Sequence, residues 1–167
     1  MKKIKGFICP TLLLITNLMG STVAEKYGDR IELLGISFKD PLVLCQMLIA
    51  VFIAIAFLQS GFDKIIDRNG NLEFFQVHFS KTFVHKITPL MLTVVTLFEL
   101  ISGFVLIYGI YYSFAERTTL WIFYGFVLVA INLILLFFGQ RIAKDYLGAA
   151  DLVPYFILIM LGIMSMY

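Results

Sequence analysis

A chain of 167 residues that is 60% hydrophobic and only 14% charged carries more apolar surface than a water-soluble globule of that size can bury, which leaves lipid as its natural solvent. A net charge of +2, with no basic run longer than Lys2-Lys3, argues against nucleic acid as a partner. Cys9 and Cys45 lie in different apolar segments without a Cys-x-x-Cys pair, so they form neither a disulfide framework nor a dithiol redox centre and read as packing residues.

The chain opens with Lys2, Lys3 and Lys5, then the apolar run Phe7–Met19, then Thr22-Val23-Ala24. That order imitates the basic, apolar and small-residue parts of a cleaved secretory signal. Pro10 and Asn17 interrupt it, however, and Phe7–Val23 is long enough for a short or tilted anchor. The favoured expectation is a retained N-terminal membrane helix. Glu25–Asp40 follows as an external linker in which Gly28-Asp29 and Gly35 are turns, and Asp40-Pro41 is an N-cap with a first-turn proline. Residues 1–40 are thus one region and residues 41–167 another.

In the second region four apolar stretches, Pro41–Phe62, Pro89–Tyr112, Thr119–Gly139 and Leu147–Tyr167, each come near the ~20 residues that a helix needs to cross hydrocarbon. Backbone groups cannot go unpaired there, so each span is a helix or a barrel strand, and apolar runs without strict alternation exclude the barrel. The expected fold is an all-α membrane protein: a four-helix transmembrane bundle with an additional N-terminal helix. If the first segment spans, nine Lys and Arg residues share one side and four the other, which puts the amino terminus in the cytoplasm. If that segment only lies on the surface, the count becomes six against seven and gives no orientation.

Between the first two spans of the bundle, Asp63–Asn71 changes abruptly from apolar to charged, and Asn69-Gly70 reads as the turn that ends the helix. Leu72–Ile87 then reads as a short amphipathic helix, with Leu72, Phe75, Phe79 and Phe83 at three- and four-residue intervals. Such a helix lies along the membrane surface or caps the bundle.

Few polar side chains fall inside the spans. Glu99 is near the middle of Pro89–Tyr112, where an ionised carboxylate facing acyl chains is costly, so it must face protein, water or a ligand. Asn132 in the next span can hydrogen-bond Glu99 if the two helices meet at matching depth. These two are the ligand-binding candidates; the bland reading is that they only fix helix packing. Gln59 and Asp63, four apart, share a helical face. With Lys64, Arg141, Lys144, Asp145 and Tyr146 on the same side of the membrane they form a candidate polar rim, or else an ordinary solvated boundary in which lysines snorkel and Asp145 or Asp151 caps the last helix. Gln46 is an interhelical or interfacial donor.

His78 and His85 are seven apart, roughly on one face of the proposed surface helix. No further His and no Cys cluster completes a metal or haem site with them, so no metal is expected. The chain shows no Gly-rich phosphate loop, no Gly-x-Ser-x-Gly and no His-Glu-x-x-His. Tyr111, Tyr112 and Trp121 cluster at the ends of consecutive spans, as interfacial aromatic residues do, and Ala56, Ser60, Ser102 and Gly103 permit close helix approach.

Phe57-Leu58-Gln59-Ser60-Gly61-Phe62-Asp63-Lys64-Ile65 resembles the end of the first core helix in the DoxX-like family of small membrane proteins, where a glycine and a lysine close that helix. Pro89 at the start of the next span, Glu99-Leu-Ile-Ser-Gly103 and Gly109 look like the family's acidic residue and glycines in its second core helix. Gly139–Ala150 is similar to the polar entry to its last helix. The resemblance covers about residues 42–167 and implies architecture more firmly than chemistry. It implies a bacterial inner-membrane subunit of a redox-associated complex, with membrane-protein partners, a quinone or another hydrophobic small molecule as ligand, and no intrinsic cofactor. A non-enzymatic scaffold or assembly factor is the competing expectation. Transport is a third, without repeat symmetry or a broken helix to support it.

Overall fold

A computed structural model describes residues 31–33, 36–38 and 41–167. The expected N-terminal helix, the turns at Gly28-Asp29 and Gly35, the Asp40 cap and Cys9 lie outside the described residues. The chain divides into two compact units, Met1–Leu44 and Cys45–Tyr167. In the first, β1 (Ile31–Leu33) pairs antiparallel with β2 (Ile36–Phe38), Ile31 opposite Phe38 and Leu33 opposite Ile36. The linker reading missed this hairpin. Ile-Glu-Leu and Ile-Ser-Phe each alternate apolar, polar, apolar, the two-residue period of a strand, with β-branched and aromatic residues at the apolar positions.

The second unit is helical. In chain order it holds α1 (Pro41–Ile66, whose first turn belongs to the first unit), α2 (Arg68–His78), a 3-10 turn (His85–Ile87), α3 (Thr88–Glu116), α4 (Leu120–Ala143) and α5 (Tyr146–Met164). Four of these helices are long and apolar enough to cross a membrane, and at most a third of the most apolar window of each is buried inside the protein. The exposed majority is Leu, Ile, Val and Phe, a surface that hydrocarbon solvates and water does not.

Helix ends follow local chemistry rather than the edge of the apolar run. α1 and α3 continue past the expected Phe62 and Tyr112 to Ile66 and Glu116, because charged residues lower hydropathy without breaking the backbone ladder. Asn69-Gly70 is not a turn. Asp67 caps α2, its carboxylate accepting the Gly70 N–H at 3.1 Å, so the break falls at a single residue and both Asn69 and Gly70 are helical. The surface helix is shorter than Leu72–Ile87: it ends at His78, and successive turns carry the chain to α3. His78 and His85 therefore do not share a helix face. Arg117 (φ 54°) and Lys144 (φ 60°) end α3 and α4 in the left-handed region, each at roughly 1–2 kcal/mol for a residue with a Cβ. They make the short reversals that set α3, α4 and α5 antiparallel.

Packing turns the usual amphipathic pattern inside out. The buried stripe of α3 runs Thr88, Leu92, Thr96, Glu99, Ser102, Gly103, Leu106, Gly109 and Ser113, small or polar at all but two positions, while Leu90, Leu97, Ile101, Phe104 and Ile107 face outward. Two of its hydroxyls are satisfied within the helix, Thr96 donating to the Leu92 carbonyl at 2.7 Å and Ser102 to that of Phe98 at 2.6 Å. Small residues let backbones approach where no hydrophobic force separates protein from lipid. At Gly109 a Cβ would stand 2.7 Å from the Ile122 backbone nitrogen, so α3 and α4 touch main chain to main chain there. Val129, Phe126, Ile53 and Leu106 are fully buried and fill the centre.

Candidate functional site

The α1–α3 seam is built from two reciprocal holes. A Cβ on Gly61 would fall 2.7 Å from Leu100 Cδ2, and one on Gly103 would fall 2.5 Å from Leu58 Cγ, so each glycine receives a leucine of the other helix. Glu99 immediately precedes Leu100, its Cβ 3.5 Å from where a Cβ on Gly61 would stand, and the close approach brings it within reach of the last turn of α1.

There it meets Lys64. The ammonium stands 3.0 Å from Glu99 Oε1 and 2.9 Å from Oε2, and donates also to Ser60 Oγ at 2.6 Å; Ser60 in turn donates to Glu99 Oε1 at 3.1 Å. The Glu99 side chain is 4% exposed and that of Lys64 12%. Ser60 and Lys64 are one turn apart on α1, so a single face of that helix supplies both partners of the carboxylate. Desolvating two charges costs several kcal/mol per ion, and this geometry offsets it with two contacts to the carboxylate and a hydroxyl that bridges the pair. Glu99 is level with Lys64, two residues before the end of α1 at Ile66.

Asn132 occupies the same level from the other side. Gly109 faces Ile122 and Gly125 faces Leu106 across the antiparallel α3–α4 pair; continuing that register by two helical turns sets Asn132 opposite Glu99. The residue is 0% exposed, yet its Nδ2 and Oδ1 are both without a hydrogen-bond partner among the described residues. The sequence-expected bond to Glu99 is not made, because the carboxylate is taken by Lys64 and Ser60. A primary amide buried without partners costs roughly 1–3 kcal/mol, which marks it as a group to be accounted for.

The rim residues separate into groups. Lys64 turns inward to Glu99, while Gln59 and Asp63 stay exposed on α1. Arg141 lies over the Tyr146 ring at 4.6 Å, Asp145 caps α5 by accepting the Gly148 N–H at 2.9 Å, and Lys144 is exposed at the α4 terminus. Among the described residues no ion pair joins the end of α1 to the α4–α5 turn. The link across that end comes instead from His78, whose Nε2 is 3.0 Å from Gln140 Oε1 and 3.9 Å from Asp145 Oδ2. The sequence reading set Lys64 in the rim and Ser60 among packing residues, and so missed that both belong to Glu99. Their i, i+4 spacing beside a glycine was the available signal. Gln46, at the other end of α1, is buried and donates to the Ser165 carbonyl at 2.8 Å.

Two cavities adjoin this level. One of about 250 Å³ lies between α4 and α5, lined by Leu133, Ile134, Phe137, Leu152, Val153 and Phe156; it is apolar, and Asn132 is not among its lining residues, Leu133 being its neighbour in sequence. The other, about 40 Å³, lies under α2 between Phe75, Phe79, α3 and α4. Chemically, Asn132 is the available polar group: a carbonyl oxygen can accept from Nδ2, and a hydroxyl can donate to Oδ1.

Among the described residues, four apolar helices with Gln46, Glu99 and Asn132 buried between them define an integral helical membrane protein. Set against family models, curated proteins and solved structures, the chain matches none of them.

Proposed function

We propose that this chain is a small DoxX-like membrane subunit of a redox-associated complex that binds a quinone, or a hydrophobic ligand with similar oxygen chemistry, inside its bundle at Asn132 and Glu99. The observation that carries this reading is the buried amide of Asn132, level with the Lys64–Glu99 pair and unpartnered at both polar atoms. Two residues on which the family resemblance rests, Lys64 and Glu99, meet in that pair, which supports the assignment. In this reading Asn132 orients a ring oxygen, Glu99 and Lys64 hold a fixed dipole at the same depth, and the apolar groove beside Leu133 takes a hydrocarbon tail. A bound quinone would carry electrons that a partner protein supplies, since the chain is proposed to hold no cofactor of its own. The setting is a bacterial inner membrane with the amino terminus cytoplasmic.

The protein purified in lipid nanodiscs, extracted and assayed for quinones, tests this. Retention of quinone by the native chain, with loss in Asn132→Leu of unchanged helicity and thermal stability no lower than native, is the expected result; equal retention by that variant rejects the site. The scaffold reading draws on one observation of its own, that Lys64 and Ser60 already occupy the Glu99 carboxylate, which suffices to lock α1 on α3. A stable copurifying protein complex with no small molecule bound, unaffected by Asn132→Leu, would favour it.

A further inference from the structure

α2 has three faces, not two. Leu72, Phe75 and Phe79 form the stripe turned to the bundle, and Phe75 and Phe79 line the cavity against α3 and α4. Glu73 and Gln76, offset by one position, are exposed and polar. Phe74 and Val77, three apart on the remaining flank, are 62% and 70% exposed. A helix packed sideways on a bundle at the boundary of hydrocarbon and water needs such a division: one side for protein, one for water and one for the acyl region.

The turns that follow repeat the theme. From Phe79 to Ile87 the chain carries Lys81, His85 and Lys86 and no acidic residue, and the three are exposed; between them Phe83 stands 81% exposed. The segment is held in shape by main-chain bonds, Thr82 N–H to the Phe79 carbonyl at 2.9 Å and Ile87 N–H to that of Val84 at 3.0 Å, with Val84 buried as its anchor. An outward aromatic ring flanked by two lysines on a fixed turn is apolar at its tip and cationic at its base. Phospholipid with an anionic headgroup complements both parts at once: its acyl chain meets Phe83, Phe74 and Val77, and its phosphate meets Lys81 and Lys86.

We infer that the α2 flank and the Phe79–Ile87 turn form a binding edge for anionic phospholipid of the leaflet on the side of Lys64 and Arg68. The inference is independent of any ligand inside the bundle. An indole reporter tests it, made as Phe83→Trp in a Trp121→Phe background so that the far end of the bundle is silent, with Val77→Trp as a second reporter. In nanodiscs mixing phosphatidylcholine and phosphatidylglycerol, one or the other brominated in the acyl chain, the Phe83→Trp fluorescence should be quenched by both and more strongly by the anionic lipid. With each lysine near the surface contributing at most about fivefold, the preference is several-fold, up to about 25-fold, and should fall toward one in Lys81→Gln/Lys86→Gln. Quenching that ignores headgroup charge in the native-lysine reporter overturns the inference. So does a Phe83→Trp indole open to aqueous acrylamide and untouched by brominated chains, which means water covers the edge. An indole shielded from both quenchers in the native membrane overturns it too, since a protein partner then occupies the surface.

Discussion

The two seams of α3 hold by opposite means. Toward α4 it presents Leu106 and Gly109, and the helices close until main chain meets main chain at Ile122; toward α1 it presents Glu99, and the contact turns on one ion pair with two glycine holes to one side of it. The first seam makes its stability from many weak dispersion contacts that exist only at short range. The second concentrates it in charges whose removal one at a time leaves a buried orphan. One helix thus carries a diffuse joint and a focused one, and they should fail differently.

Glu99→Gln is the largest expected loss. It leaves the Lys64 ammonium buried against a neutral amide, at about 3 kcal/mol, the low end of the range for a broken buried pair because Ser60 still accepts from Lys64. Unfolding in mixed anionic and non-ionic micelles measures it. Glu99→Leu combined with Lys64→Met should recover most of the loss, since both charges leave together. If the double variant is no better than the single ones, the seam depends on more than this pair. On the diffuse side, Gly109→Ala should cost roughly 1–3 kcal/mol by forcing the α3 and α4 backbones apart. Gly139→Ala is its control. A Cβ there meets nothing nearer than Phe79 Cζ at 3.6 Å, so the change should be neutral, or gain up to about 1 kcal/mol from helix propensity.

Asn132→Leu should move the other way. Removing an amide that has no partner relieves roughly 1 kcal/mol or more of desolvation, so the unfolding midpoint rises while any bound quinone is lost. A fall in stability would mean the amide is satisfied in the membrane and takes part in the packing.

How much of this the residues announce depends on the solvent. The spans are legible because hydrocarbon leaves the backbone no choice but a helix, and Glu99 and Asn132 are legible as inward-facing because acyl chains reject them. The inner stripe of Thr96, Ser102, Gly103 and Gly109 is legible for the same reason, once it is accepted that small and polar means inside. Partners are another matter. The sequence matches Glu99 to Asn132 because both sit well inside an apolar run, but the depth of a residue is set by where the neighbouring helix ends. Lys64 near the end of α1 reaches Glu99, and Asn132 is left facing a carboxylate already engaged. The α2 boundary failed for a local reason: Asp67 caps the backbone across Asn69-Gly70, and a capped helix can start on residues that usually turn.

The smallest expected effect tests whether any polar contact along α1 matters as Lys64–Glu99 does. Gln46 is buried and donates to the Ser165 carbonyl, but its own Oε1 has no partner among the described residues. Gln46→Leu therefore loses one neutral hydrogen bond and at the same time removes a desolvated acceptor. The two terms oppose each other, and interhelical polar pairs in membranes average about 0.6 kcal/mol. The unfolding midpoint should shift by no more than that in either direction. A loss comparable to that of Glu99→Gln would mean that α1 is pinned at both ends by polar contacts, and that the leucine-in-glycine packing at Gly61 and Gly103 follows from those pins rather than positioning them.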